Sequence, residues 1–159
     1  MARTTTAKKE HRRHAVECFH GTWKLISKRQ RSKDDDVRMV HMAHASRHHW
    51  GVAGGPVNWA IGEWQVSHVY ALLRREEPAL FHARECLRLC RTHGLRDFPL
   101  AYAYEALARA SAVARRRMEV ARFVALGVRA GSRIQEWDDR EQFFRDLRTV
   151  PGARIAANP

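Results

Sequence analysis

The sequence of 159 residues predicts an all-α protein of about seven helices, packed as antiparallel hairpins or as a compact helical bundle. Apolar side chains recur at three- and four-residue steps in one segment after another, which is the period of a helix face. No segment sustains the two-residue alternation of a half-buried strand. Gly, Pro and Asp stand between the periodic segments, where they act as stop and start signals.

Each element has its own signature. Over about residues 6–31, Ala15, Val16, Phe19, Trp23 and Ile26 make an apolar stripe, and the other faces carry Lys8, Arg12, Arg13, Lys24, Lys28 and Arg31. The stretch Ser32-Lys33-Asp34-Asp35-Asp36 breaks this helix and opens a second over about 35–50, because Ser or Asp can cap and carboxylates suit a helix N-terminus. Gly51, Gly54, Gly55 and Pro56 end it. A third helix is expected over about 56–75, with Ala60, Ile61, Trp64, Ser67, Ala71 and Leu72 along one side. Pro78 sits in the first turn of a fourth, about 78–93, where its missing N–H costs nothing, and Gly94 follows as a left-handed cap. Asp97 and Pro99 start a fifth helix that reaches about residue 114. The basic turn Arg115-Arg116-Arg117 leads to a sixth, about 118–134. Asp138, Asp139 and Glu141 open a short seventh that carries Phe143, Phe144 and Leu147. The expected organisation is a basic amphipathic helix (1–33), a helical-hairpin domain (34–150) and a flexible tail (151–159).

This length supports one core. The longest apolar run, Phe98 to Tyr104, has seven residues against the roughly 20 of a membrane-spanning helix, and the first ten residues show no secretory pattern. A cytoplasmic protein with no membrane partner is the expectation. The formal net charge of +12 raises nucleic acid or another polyanion as a partner. Residues 1–33 hold ten Lys or Arg against two Glu, so most of the excess lies there, and Lys8, Arg12, Lys24, Lys28 and Arg31 are the candidate polyanion contacts. Interleaved aromatics for base stacking are missing from that segment's basic face, so nucleic acid is not the favoured partner. Three cysteines, Cys18, Cys86 and Cys90, read as reduced thiols, with Cys86 and Cys90 as small core residues of the fourth helix.

Short turns between helices of similar length suggest self-similarity. Tyr70-Ala71 matches Leu107-Ala108 at an offset of 37, and Ala83, Leu87 and Cys90 match Ala121, Ala125 and Val128 at an offset of 38. Over about residues 60–135 this resembles tetratricopeptide repeats, which place a small residue in the first helix of a pair and an alanine early in the second. The resemblance implies stacked hairpins whose surface binds a segment of another protein. A homo-oligomer is the lesser alternative for such a surface.

The strongest chemical signal is a histidine row. The chain has ten histidines, and His41, His44 and His48 of the second helix fall within an arc of about 60°. His44 and His48 have the spacing that lets two imidazoles reach one Zn or Fe ion, with Glu63 or His68 offered from the next helix. The row therefore admits a metal site (His41, His44, His48), an acid/base site (His44, His48, Glu63), or boundary histidines with ordinary hydrogen bonds. Trp50, Trp59, Trp64 and His68 are the candidate walls of a ligand pocket, although a tryptophan-rich core is the commoner outcome for such residues. Phosphate-cradling loops, Cys-x-x-Cys pairs and Gly-x-Ser-x-Gly turns are not present. An interaction module leads this field, with a histidine-based enzyme or small-ligand binder second.

Overall fold

A computed structural model describes residues 2–155. Its helices are α1 (Ala2–Ile26), α2 (Lys33–Ala53), α3 (Pro56–Leu72), α4 (Glu76–Thr92), α5 (Asp97–Val113), α6 (Arg117–Gly131) and α7 (Trp137–Arg148), and no strand occurs among the described residues. Among them no helix is long and apolar enough to cross a membrane.

Local chemistry sets the helix ends. Ser32 Oγ accepts from Asp35 N–H at 3.1 Å while Asp35 Oδ2 accepts from Ser32 N–H at 3.0 Å, a reciprocal capping box that starts α2. Asn58 Oδ1 accepts from Gly55 N–H at the start of α3, beside Pro56. The turns after α3 and α5 are built alike. Arg74 and Arg115 both take φ of 56°, and the amides of Arg75 and Arg116 reach back to the carbonyls of Tyr70 and Ser111 at 2.9 Å. The turn after α4 uses Gly94 at φ 63° for the same left-handed step.

Those matched turns put equivalent positions 41 residues apart. The spacing of 37–38 read from small residues is corrected accordingly: Ala71 corresponds to Ala112 and not to Ala108, and Ala83 corresponds to Val124 and not to Ala121. The earlier match arose because α5 carries so many alanines that a shifted register also pairs small with small.

Helices pack as α1/α2, α3/α4 and α5/α6 hairpins laid side by side, and α7 closes onto α5 and α6. The basic first helix is thus one arm of a hairpin, with Ser46 Oγ donating to the Ala15 carbonyl at 2.8 Å and Gln65 Nε2 to the Phe19 carbonyl at 3.1 Å. At the centre lies α5, whose Ala101, Ala103, Ala106, Ala108 and Ala110 are all buried. Small side chains there let α3, α4, α6 and α7 come close around one helix. Gly131 serves the same purpose for α7, since a methyl group at that position would run into the Phe143 ring. Buried Cys86 and Cys90 belong to this core as free thiols, and a mutual hydrogen bond and burial push the Cys86 thiol up. Of the tail expected at 151–159, residues 156–159 lie outside the described residues, whereas Ala153 and Ile155 pack onto the α5–α7 core.

Candidate functional site

The histidine row of α2 meets different neighbours along its length. His44 Nε2 lies 2.9 Å from the Tyr70 hydroxyl of α3, and its ring centroid is 5.3 Å from that of His82 on α4. His48 belongs instead to a cluster with His49 and His11, at centroid distances of 5.3 and 6.4 Å, and His11 Nδ1 stands 2.8 Å from His49 Nδ1. His41 borders a shallow hollow of about 410 Å³ with Cys18, Asp34 and Val37. One arc on a helix does not imply one site, because the helix that faces the arc changes every turn. Among the described residues, no group of three or more His, Cys, Asp or Glu side chains is arranged to hold a metal ion.

Glu63 is the hub of the part that does converge. Its carboxylate accepts from Arg47 Nε at 2.8 Å and from His82 Nδ1 at 2.6 Å, which ties α2, α3 and α4 together. Burial works to raise this carboxyl, but the hydrogen bond from His82 and the charge of Arg47 outweigh it and hold Glu63 below its ordinary value. The Tyr70 ring stacks on His82 with an interplanar angle of 12°. Burial foremost, and then the neighbouring His82, lower the His44 imidazole, which is the more readily neutral for it. The pairing of His82 and Arg47 with Glu63 escapes a sequence reading because they lie 19 and 16 residues from it on other helices. The available signal is Glu63 itself, a carboxylate within the apolar third helix that needs a partner. Gly62 is the second signal, since a methyl group there would come within 2.6 Å of Arg47 Cδ and block its path to Glu63.

The four proposed pocket residues fall in two places. Trp59 Nε1 donates to the Trp50 carbonyl at 2.9 Å, and the Arg12 guanidinium lies 5.8 Å over the Trp50 ring. Trp64 and His68 face α1 and α5, with His68 against Trp23 and Trp64 at centroid distances of 5.4 and 5.9 Å. Trp64 Nε1 donates to Glu105 Oε2 at 2.8 Å, and Arg109 Nε donates to Glu105 Oε1 at 2.6 Å. Arg109 continues to Thr149 Oγ1 at 2.7 Å and to the Asp146 carbonyl, while Tyr102 donates to the Asp146 carboxylate at 2.8 Å. This chain of bonds locks α3, α5 and α7 and is structural in character.

The basic residues also separate. Lys28 is bound to Asp35 at 2.7 Å and Arg31 to Asp36 at 2.8 Å, so both are used in the α1–α2 corner, whereas Lys8 and Lys24 are exposed. A different concentration of cations appears along α6. Val120, Val124 and Val128, with Ala121 and Ala125, floor a groove of about 1020 Å³ that residues 151–155 border on the far side. Arg115, Arg117, Arg129 and Arg154 line it, and no carboxylate does. The side chains of these four arginines make no hydrogen bond or ion pair among the described residues. Sequence reasoning sees only the Arg115–Arg117 turn, since Arg129 and Arg154 join it through folding. Comparison of the chain with protein-family models, with curated proteins and with solved structures finds no match.

Proposed function

We propose that this chain is a protein–protein interaction module of the helical-hairpin, tetratricopeptide-like type, and that the outer side of α6 is its docking face. The single observation that carries this reading is the groove itself, about 1020 Å³ along α6, with the exposed Ala121 and Ala125 and the half-buried Val128 on its floor and four arginines on its walls. An apolar floor within a polar rim is the make-up of a protein–protein interface. Immobilised chain is expected to retain a defined set of proteins from a cell extract at moderate salt, and the Ala121→Lys, Ala125→Lys double variant is expected to lose them. Both alanines are exposed, so the variant keeps the parent's helical circular dichroism and melting temperature. Identical retention by parent and variant, or retention of nothing, overturns the reading.

A second reading rests on the Glu63–His82 pair. A carboxylate that accepts the Nδ1–H hydrogen bond fixes the tautomer and leaves Nε2 as the reactive nitrogen, which suits acid/base work or a small polar ligand held with Tyr70 and His44. A screen of small polar compounds by thermal shift is the check. Stabilisation that disappears in Tyr70→Phe supports this reading, and a screen with no Tyr70-dependent compound removes it.

A further inference from the structure

We infer that the contact between His11 of α1 and His49 of α2 is a proton-operated clasp, which holds the first turns of α1 on α2 at neutral pH and releases them in mildly acidic solution. The inference is independent of the α6 groove and of the Glu63–His82 pair.

The two halves of α1 are held differently. Ala15, Thr22 and Leu25 are buried, and the Ala15 carbonyl accepts from Ser46 Oγ, so residues 15–26 belong to the core. Over residues 6–14 no side chain is buried, and only His11 and His14 are half-buried. Both turn to the same place. Their rings stand 4.9 and 5.4 Å from the His49 ring, centroid to centroid, and His48 adds a fourth imidazole at 5.3 Å. Arg12 between them is exposed and rests 5.8 Å over the Trp50 ring. A helical segment this short has little stability of its own, because isolated helices under about 12–15 residues are marginal in water. Its order therefore depends on the imidazoles that dock it.

The clasp tolerates only part of the protons it could carry. His11 Nδ1 and His49 Nδ1 are 2.8 Å apart, so one donates its N–H and the other must be bare to accept it. When both rings are protonated, two N–H groups and two positive charges face each other across that distance, and the docked arrangement is lost. Burial first, and then His11, His48 and His14, lower the His49 imidazole, the direction this geometry requires. The surroundings offer little relief. The same stretch of α1 carries Lys8, Lys9, Arg12 and Arg13 against Glu10, and Glu17, 3.5 Å from His14 Nδ1, is shared with Arg13 at 3.2 Å. On α2, Arg47 is committed to Glu63, the one carboxylate of α3. The carbonyl end of α2 favours a charged His49, but His49 stays on α2 whether or not α1 is docked, so that field acts on both states alike. The released state therefore binds more protons than the docked one. Docking is complete above the ordinary histidine value of 6.5 and weakens as pH falls below it.

Hydrogen exchange read by mass spectrometry on the full chain at pH 7.5 and 5.5, corrected for the intrinsic pH dependence of exchange, is the test. One excluded proton with an ordinary value of 6.5 gives about a tenfold loss of protection for the amides of residues 6–14 over that interval, while residues 15–26 and α2 keep theirs. In the His11→Gln, His49→Gln variant the two side chains can still exchange a hydrogen bond and do not titrate in this range, so the segment is expected to lose most of its pH dependence. Protection of residues 15–26 in the variant checks that the hairpin is intact. Equal losses in parent and variant overturn the inference. A segment of the parent that is equally unprotected at both pH values shows that nothing clasps it, and overturns the inference too. A loss that spreads through α3 and α5 together with residues 6–14 reports global unfolding through His68 and likewise overturns it.

Discussion

Glu105→Ala is expected to remove about 3–5 kcal/mol of stability, measured as the shift in urea midpoint at neutral pH with an unchanged slope. The Glu105 side chain is 1% exposed and that of its partner Arg109 10%, so truncation leaves a guanidinium in the core without its carboxylate. The Trp64 indole N–H loses its acceptor in the same step. Coupling between α3, α5 and α7 runs through these atoms, so Trp64 fluorescence is expected to respond as well. Removing both charges tells pair from packing. The double variant Glu105→Leu, Arg109→Met is expected to recover most of the loss, because well-packed apolar residues can replace a buried ion pair. Additive losses in the double variant, or a loss below about 1 kcal/mol in Glu105→Ala, would show that the pair does not hold the helices together.

Acidification is the second large effect, and His68 dominates it. Burial first, and then the nearby Arg109 charge, push this imidazole down to about 3, with Asp146 opposing them; its Nδ1 is buried and has no hydrogen-bond partner among the described residues. In the unfolded chain the same group titrates at its ordinary value of 6.5. Between those two values the unfolded state holds a proton that the folded state does not, so stability is full above pH 6.5 and falls as pH drops toward 3. At about 1.4 kcal/mol per pH unit, the loss at pH 5 is about 2 kcal/mol. His44 and His49, both lowered chiefly by burial, act in the same direction, and Glu63, held below its ordinary 4.5, extends the loss at more acid pH. Urea titrations at pH 7.5 and 5 on the parent and on His68→Leu separate the His68 share. The leucine variant is expected to lose about 2 kcal/mol less over that interval, and parallel losses in the two proteins would place the acid sensitivity elsewhere.

Helices and their ends are legible in this sequence because the physics that sets them is local. Ser32 and Asp35 are three residues apart and cap each other; Pro56 and Gly94 act on their own backbone; the acids Asp138 and Asp139 sit at the first turn they stabilise. The period of apolar residues carries the count of helices and the absence of strands among the described residues in the same way. The register between hairpins is less legible. It follows from turns in which arginine, a residue with no preference for left-handed backbone, takes φ of 56°, and the alanine-rich α5 offers a misleading match a few residues away.

The site is where tertiary structure decides. A stripe of His41, His44 and His48 is written in the sequence, but its three members face three surroundings, and only His44 reaches the Glu63–His82 network. Likewise the sequence shows an excess of positive charge in the first 33 residues, where Lys28 and Arg31 turn out to be matched by Asp35 and Asp36. Four arginines without a partner among the described residues, Arg115, Arg117, Arg129 and Arg154, are instead brought to one groove from positions 115 to 154. Composition and periodicity thus determined a basic, all-helical chain with seven helices among the described residues, because those properties depend on neighbours within a few residues. Which charges are neutralised, which histidines meet, and which helix face stays open depend on contacts between residues 16 to 46 positions apart, and only packing sets those.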